Sequence, residues 1–300
     1  MKRKTKMKLS VFCLLLSVFC VLSFAQQKFI DDLGYEIYLS HPPRRIISLA
    51  PNITEILFAL GLGDQIVGVT RYCDYPPQAL TKEKIGGIID INLEKIKYLN
   101  PNLVLAFRGN PLELIQRLRQ LEINVFVFDI QDRMERIFSL IQKIGLLTGR
   151  TNAAEKLLTH LKQKYNWIQK KLLSVTNRPK VFLSLHGQGL WTCGKSSFLN
   201  DLIIKAKGEN IAGEIHRSWI KYNQEELIYK NPEIIIILAK KEKDFLSAKK
   251  WWENNSPLKQ IKAVKTQKIF FLDENLISRP GPRLIDGLYQ LAKILHPEVF

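Results

Sequence analysis

Acidic side chains are scarce in this chain. Twenty-eight Asp and Glu stand against 45 Lys and Arg, for a formal charge of +17. Such an excess would suit nucleic acid or an anionic membrane. The lysines, however, are scattered through helical patterns rather than gathered in a patch, which makes them solvated helix faces. Cysteine is rarer still, with four residues and no paired spacing of the zinc-site kind. No apolar run reaches the ~20 residues of a comfortable membrane span. There is no P-loop, no GxGxxG and no convergent acid, base and nucleophile set, which argues against a nucleotide-driven or hydrolytic enzyme.

The N-terminus reads as a targeting segment. Lys2, Arg3, Lys4, Lys6 and Lys8 form a positive head, and an apolar stretch follows over 9–24. Ser23-Phe24-Ala25 offers small residues at the two positions read by a signal peptidase, so cleavage is expected before Gln26 and the product in the periplasm. Bulky Phe19 before Cys20 speaks against a lipid anchor. Removing the leader takes five basic residues and lowers the charge to about +12. An exported chain has no nucleic acid to read. About 275 residues remain, enough for two modest cores or one large one.

Strand and helix patterns alternate in the first half. Strands are expected at 45–49, 66–69, 103–106 and 125–128, with a β-hairpin around Leu33-Gly34 before them. Helices are expected at 93–99 and 111–121, and another from Asn52 to near Gly61, where Asn52 and Glu55 have capping-box spacing. From 134 to 175 the pattern is helical only, broken at Gly149-Arg150. Its second part carries Leu157, Leu158, Leu161, Tyr165, Ile168 and Leu172 at spacings of three and four, one long amphipathic helix. Alternation then restarts, with strands at 181–185, 234–238 and 268–272 and helices at 197–205 and 282–295. Trp251-Trp252 reads as helix packing. The expected class is α/β: two Rossmann-like lobes joined by one long helix. The boundaries follow as a leader 1–25, an N-terminal segment 26–44, a first lobe 45–149, a linker helix 150–177 and a second lobe 178–300.

An internal repeat supports two equivalent lobes. Glu94-x-Ile96-x-Tyr98-x-Asn100-Pro101 recurs without gaps as Glu225-x-Leu227-x-Tyr229-x-Asn231-Pro232, and an apolar strand follows each. Cys73 and Cys193 fall in different lobes. An oxidising compartment permits a bridge, but one across the lobes would hamper opening, so two free or buried thiols are expected.

Five segments carry a family resemblance. They are 45–55 (Arg-Ile-Ile-Ser-Leu-Ala-Pro-Asn-Ile-Thr-Glu), Tyr72-Cys73-Asp74-Tyr75-Pro76-Pro77, Asn92-Leu93-Glu94, Asn100-Pro101-Asn102-Leu103-Val104 and Arg279-Pro280-Gly281-Pro282-Arg283. In this order, with the long middle helix, the chain resembles class III periplasmic binding proteins of ABC importers from Arg45 to about Pro297. Within that superfamily, which also serves haem and ferric siderophores, it looks most like the vitamin B12 receptors. Tyr-x-Asp-Tyr-Pro-Pro, Ala106-Phe107-Arg108-Gly109 and Trp191-Thr192-Cys193-Gly194-Lys195 are the local matches.

The resemblance implies a stiffly hinged pair of lobes, a ligand cleft between them, no enzymatic activity and no prosthetic group. The implied cargo is cobalamin or a related corrinoid, or alternatively haem or a ferric siderophore. The implied partner is a two-fold permease of the BtuCD type, served by a monomeric receptor. Ala50, Pro51, Asn52, Tyr72, Phe107, Trp191, Trp219, Asn275 and Arg279 are implied to line the cleft. A tyrosine has a flat apolar face and one polar tip, which suits a corrin edge with amide arms. Loop aromatics at strand ends suit a ligand crevice. Packing on Pro76-Pro77 is the other role open to Tyr72, as core packing is for Phe107 and the tryptophans. Arg279 could meet a propionamide or phosphate oxygen, and Arg283 a structural ion pair. Family members dock permease arginines with outer-rim glutamates, and Glu94 and Glu225 match; compensation of a helix N-terminus is the alternative. His186 and His216 offer imidazoles near the tryptophans for an axial metal bond, or are ordinary loop histidines. Two positions depart from the pattern. Ile88 stands where a further cleft tryptophan aligns, and Asn275 where an acid is common. An exported enzyme on this fold and a non-transport sensor are the readings from other classes.

Overall fold

The computed structural model describes residues 26–129, 133–185 and 189–300. The leader expected over 1–25, with its cleavage site, lies outside them, and so does His186.

Strands β1 (Gln27–Ile30) and β2 (Glu36–Leu39) form the expected antiparallel hairpin. Its turn is held by the Asp31 carboxylate, which accepts from the Leu33 and Tyr35 amides at 2.9 and 2.8 Å. Gly34 takes a φ of +81°, open to glycine without cost. Asp31 also pairs with Arg119, whose guanidinium stacks on Tyr35 at 3.8 Å and pins the hairpin to the first lobe.

That lobe runs β3 (Ile46–Ser48), α1 (Pro51–Ala59), β4 (Ile66–Val69), α2 (Leu93–Tyr98), β5 (Leu103–Phe107), α3 (Leu112–Gln120) and β6 (Val125–Phe128). The strands are all parallel, in the order β4-β3-β5-β6. Then come α4 (Arg136–Leu147) and the 21-residue α5 (Thr151–Lys171). The second lobe runs β7 (Lys180–Ser184), β8 (Trp191–Cys193), α6 (Phe198–Lys205), β9 (Glu209–Asn210), β10 (Trp219–Lys221), α7 (Gln224–Lys230), β11 (Ile234–Ala239), α8 (Glu242–Asn254), α9 (Lys262–Lys265), β12 (Ile269–Asp273), α10 (Glu274–Ile277) and α11 (Leu284–Leu295). Its parallel sheet is ordered β9-β7-β11-β12. In both sheets the first strand lies between the second and third, with the fourth outermost, so the lobes share one topology.

The sequence repeat is a structural repeat. Asn92 and Asn223 cap α2 and α7, each accepting amide bonds from the first turn. Both helices stop at an asparagine in the left-handed region, Asn100 at φ +43° and Asn231 at φ +47°, followed by proline. One residue further on, Asn102 accepts from the Arg45 amide and Glu233 from the Lys180 amide, at 3.0 and 3.2 Å. Each bond ties the end of the helix to the start of its lobe's first strand.

Alternation along each strand sorts the apolar residues into three layers. Ile46, Leu103, Leu105, Phe126 and Phe128 face inward, as do Val181, Leu183, Ile234, Ile236 and Leu238. These join one continuous core through Leu158, Leu161 and Ile168 of α5. The outward residues of the first lobe pack under α2 and α3. Those of the second pack on α8, where Trp252 is fully buried, edge-on to Phe182 and Trp251 at 5.6 and 5.4 Å. The helix of about 31 Å therefore spans both lobes through shared packing.

Two expectations are corrected. Asn52 and Glu55 form no capping box: α1 begins at Pro51, with Ala50 at the cap and no side-chain cap bond. Proline fits the first helical position, which starts the helix one residue before Asn52. Trp191 and Trp219 stand on strands rather than loops. β8 and β10 pair antiparallel, with Trp219 opposite Cys193 and Lys221 opposite Trp191.

Candidate functional site: the cleft between the lobes

In parallel α/β sheets a crevice opens beyond the strand ends where the strand order reverses. Here that point lies between β3 and β5 in one lobe and between β7 and β11 in the other. A cavity of about 350 Å³ lies between them, with Ala50, Pro51, Asn52, Tyr72, Ile88 and Phe107 on the first lobe's side. Phe198, Lys240, Glu274, Asn275, Ser278, Arg279 and Pro280 line it from the second. Beside it a compartment of about 410 Å³ is bounded by Leu185, Trp191, Trp219 and Leu238. Glu274 and Ser278 border both. All nine residues expected around the cleft line one compartment or the other. Tyr72, Trp191 and Trp219 are 47%, 42% and 49% exposed, large apolar faces left open to the space between the lobes.

The aromatic side chains are positioned from beneath. Buried Asn110 donates to the carbonyls of Leu49 and Ile88 at 3.3 and 3.0 Å and accepts from the Phe107 amide at 3.0 Å. One side chain thus ties together three loops of the first lobe's wall. The Phe107 ring lies back over Gly109, where a Cβ would fall 2.2 Å from a ring carbon. Across the cleft, buried Asn210 donates to the Cys193 carbonyl and to Asn200 Oδ1 at 2.9 and 3.0 Å. It holds the root of the ribbon that carries both tryptophans. Gly194 lets the 215–217 segment cross the ribbon, since a Cβ there would sit 2.4 Å from the Arg217 carbonyl.

One flank of the cleft is closed by ion pairs. Arg283 grips Glu55 with two bonds of 2.9 and 2.6 Å and stacks on Tyr75 at 3.7 Å. Arg279 pairs with Asp74 through both terminal nitrogens, reaches the Tyr72 carbonyl at 3.4 Å and lies 3.6 Å from Glu55. The Arg279 guanidinium holds the Asp74 carboxyl below its ordinary range. Asn52 donates across the same seam to the Pro280 carbonyl at 3.3 Å. Arg279 thus lines the cavity, but its charge is already met by two carboxylates. Arg283 makes the structural pair expected of it.

The remaining expectations separate clearly. Glu94 and Glu225 are exposed at equivalent second positions of α2 and α7, with no ion-pair partner among the described residues. His216 is exposed beside Lys195, at 3.4 Å, and borders neither compartment. The 213–218 segment that carries it crosses the ribbon at Gly194, whose amide donates to the Ser218 carbonyl at 3.2 Å. No group of three metal-binding side chains occurs among the described residues. Cys73 and Cys193 are buried and unbridged. Burial raises both thiols, Cys193 to about 12.

Asn110, Lys240, Glu274, Ser278 and Asp74 were not singled out from the sequence. Asn110 is the one with a local signal, a polar residue following a glycine at the end of an apolar strand. Lys240 and Glu274 directly follow β11 and β12 and carry no local signal of a site until the fold brings those strand ends to the cleft.

Two α/β lobes of one topology, a helix packed into both and an aromatic cleft at the facing strand ends define a two-lobed binding protein. The periplasmic binding protein family model matches residues 46–276, and the chain belongs to that family. It is the exported substrate-binding component of an ABC importer, without enzymatic activity, and its ligand is cargo rather than a prosthetic group. A vitamin B12-binding protein from Photorhabdus laumondii is 30% identical over 269 residues, covering 89% of this chain and 93% of the relative. The solved structure of the periplasmic vitamin B12 binding protein BtuF of Vibrio cholerae aligns with a TM-score of 0.76 at 27% identity, over 86% of this chain and 98% of that one. The apo periplasmic haem-binding protein RhuT from Roseiflexus aligns with a TM-score of 0.77 at 24% identity, over 86% and 99%.

Proposed function

We propose that the cleft binds cobalamin or a related corrinoid, and that Glu94 and Glu225 dock the loaded monomer on a two-fold permease of the BtuCD type. The leader is removed before Gln26, and a linker of 150–177 joins a first lobe of 45–149 to a second of 178–300. The observation that carries the ligand assignment is the balance of the cleft lining. Tyr72, Phe107, Trp191 and Trp219 offer flat apolar faces. The polar lining is near neutral, with Arg279 compensated by Asp74 and Glu55, and with Lys240 and Glu274 on one wall. Asn275 Oδ1 is buried with no hydrogen-bond partner among the described residues. A broad macrocycle fringed with neutral amides satisfies all of these; a polyanion would meet no uncompensated cluster of cations.

Titration calorimetry of the mature chain with cyanocobalamin, cobinamide and haemin tests this. The expected result is tight one-to-one corrinoid binding, weakened about tenfold in Trp219→Ala by loss of one stacking face. A haem reading has one supporting observation: Tyr72 is the only side chain of a usual haem-ligating kind (His, Cys, Met or Tyr) among the described lining residues. Binding of haemin alone, with a visible band that shifts in Tyr72→Phe, would move the assignment to haem. The double variant Glu94→Ala/Glu225→Ala should bind ligand normally and lose uptake. Unchanged uptake would remove the docking role.

A further inference from the structure

The repeat matches five residues in each lobe, and three of them have internal work. Ile96 and Leu227 are fully buried. Asn100 and Asn231 end their helices in the left-handed region, and Pro101 and Pro232 start the exit. The other two, the glutamate and the tyrosine, have no hydrogen-bonding or ion-pair partner for their side chains among the described residues. Tyr98 and Tyr229 are 86% and 81% exposed, the two most exposed large apolar side chains among the described residues. Neither has an aromatic, cationic or hydrogen-bonding partner among those residues. Each stands four positions after its glutamate. Residues so spaced share a helix face, and helical side chains lean toward the N-terminus, so each ring is within reach of its carboxylate's side of the helix.

The same chain shows what a carboxylate and a tyrosine side by side can hold. Arg283 is bonded to Glu55 while stacked on Tyr75 at 3.7 Å. Arg119 is paired with Asp31 while stacked on Tyr35 at 3.8 Å. In both, a guanidinium gives its edge to the acid and its face to the ring, a division of labour open to arginine because it is planar. Glu94 with Tyr98, and Glu225 with Tyr229, supply the same acid and ring without the arginine.

We propose that these are two composite guanidinium receptors, one per lobe, each taking one arginine from a partner of matching two-fold symmetry. The tyrosine supplies a stacking face that selects arginine over lysine. The inference rests on the docking role of Glu94 and Glu225 and adds the tyrosines to it. The occupant is a protein surface presenting two equivalent arginines, since one chain carries two copies of the receptor.

The test measures docking of the full mature chain on its cognate permease–ATPase complex in lipid nanodiscs. Unfolding midpoints of every variant serve as the folding control. Tyr98→Leu/Tyr229→Leu should weaken docking about tenfold, the loss of two exposed stacking contacts. Tyr98→Phe/Tyr229→Phe should restore it, because the ring face remains. Replacing the permease's docking arginines by lysine should cost the wild type more than the Leu variant. If the Leu variant docks like wild type while Glu94→Ala/Glu225→Ala does not, the tyrosine role is overturned and the glutamate role stands. Normal docking by the Glu variant removes both.

Discussion

Asn110 shows how one small polar residue shapes a large binding wall. Its amide makes bonds to three separate backbone segments that reach the cleft from β3, β5 and the 86–91 loop. Asn110→Ala leaves two carbonyls and one amide without that partner, and each buried orphan costs about 1–3 kcal/mol. Thermal or urea unfolding should register a loss of that order, and calorimetry weaker binding, because Phe107 and Ile88 lose their anchor. The thiols give a second residue-scale expectation. Both are buried and raised, so neither forms thiolate at pH 8. A chromogenic disulfide reagent should titrate no thiol in the native mature chain and two after denaturation. Asn52 and Glu55 illustrate why such detail was hidden in the sequence. Their spacing fits a capping box, yet their partners, Pro280 and Arg283, lie 228 positions away. A local pattern cannot distinguish a bond to the neighbouring turn from one across a cleft.

Among the elements, the β8–β10 ribbon was the least legible and bears the two tryptophans. Each strand has three residues, too few to show a period of two, and 25 residues separate their ends. Long-range pairing made the strands. Gly194 is the residue on which that pairing depends, through its approach to the Ile215 and Arg217 carbonyls. Gly194→Ala should force the segments apart at about 1–3 kcal/mol, a typical cost of overpacking. It should also quench or shift tryptophan fluorescence from Trp191 and Trp219, and weaken ligand binding without touching the first lobe. By contrast the apolar stripe of α5 and the Asn-Pro exits of α2 and α7 were legible. Each of these signals lies within a few residues of the turn or face it sets, where sequence and local structure coincide.

For the whole molecule, the continuous core through α5 sets the range of motion. Opening the lobes widely would expose the apolar layer shared by both sheets, so closure on ligand is expected to be small. The seam of Glu55, Asp74, Arg279 and Arg283 restrains the same motion electrostatically. Asp74 has a depressed folded pKa, so its contribution is present above the unfolded value of about 3.9 and lost as pH falls through the folded one. Asp74→Asn should lower the unfolding midpoint at pH 7 by an amount equivalent to at most about 1 kcal/mol, as for a half-exposed pair. Acidification below about pH 4 should bring mutant and wild-type midpoints together. A gap that does not narrow at all as the pH falls below about 4 would show that the pair is not the source.

The sequence by itself determined the α/β class, the duplicated lobes, the long helix and the aromatic residues that reach the cleft. Those properties follow from local periodicity, from an ungapped repeat and from a likeness spread through most of the chain. Tertiary structure alone decided that Arg279 spends its charge on Asp74, that Asn110 and Asn210 hold the walls, and that His216 faces solvent. It also decided that a lysine and a glutamate complete the lining. Each of these depends on which distant strand ends the parallel sheets bring together, and hydrogen bonds and ion pairs form with whatever group the fold places within reach.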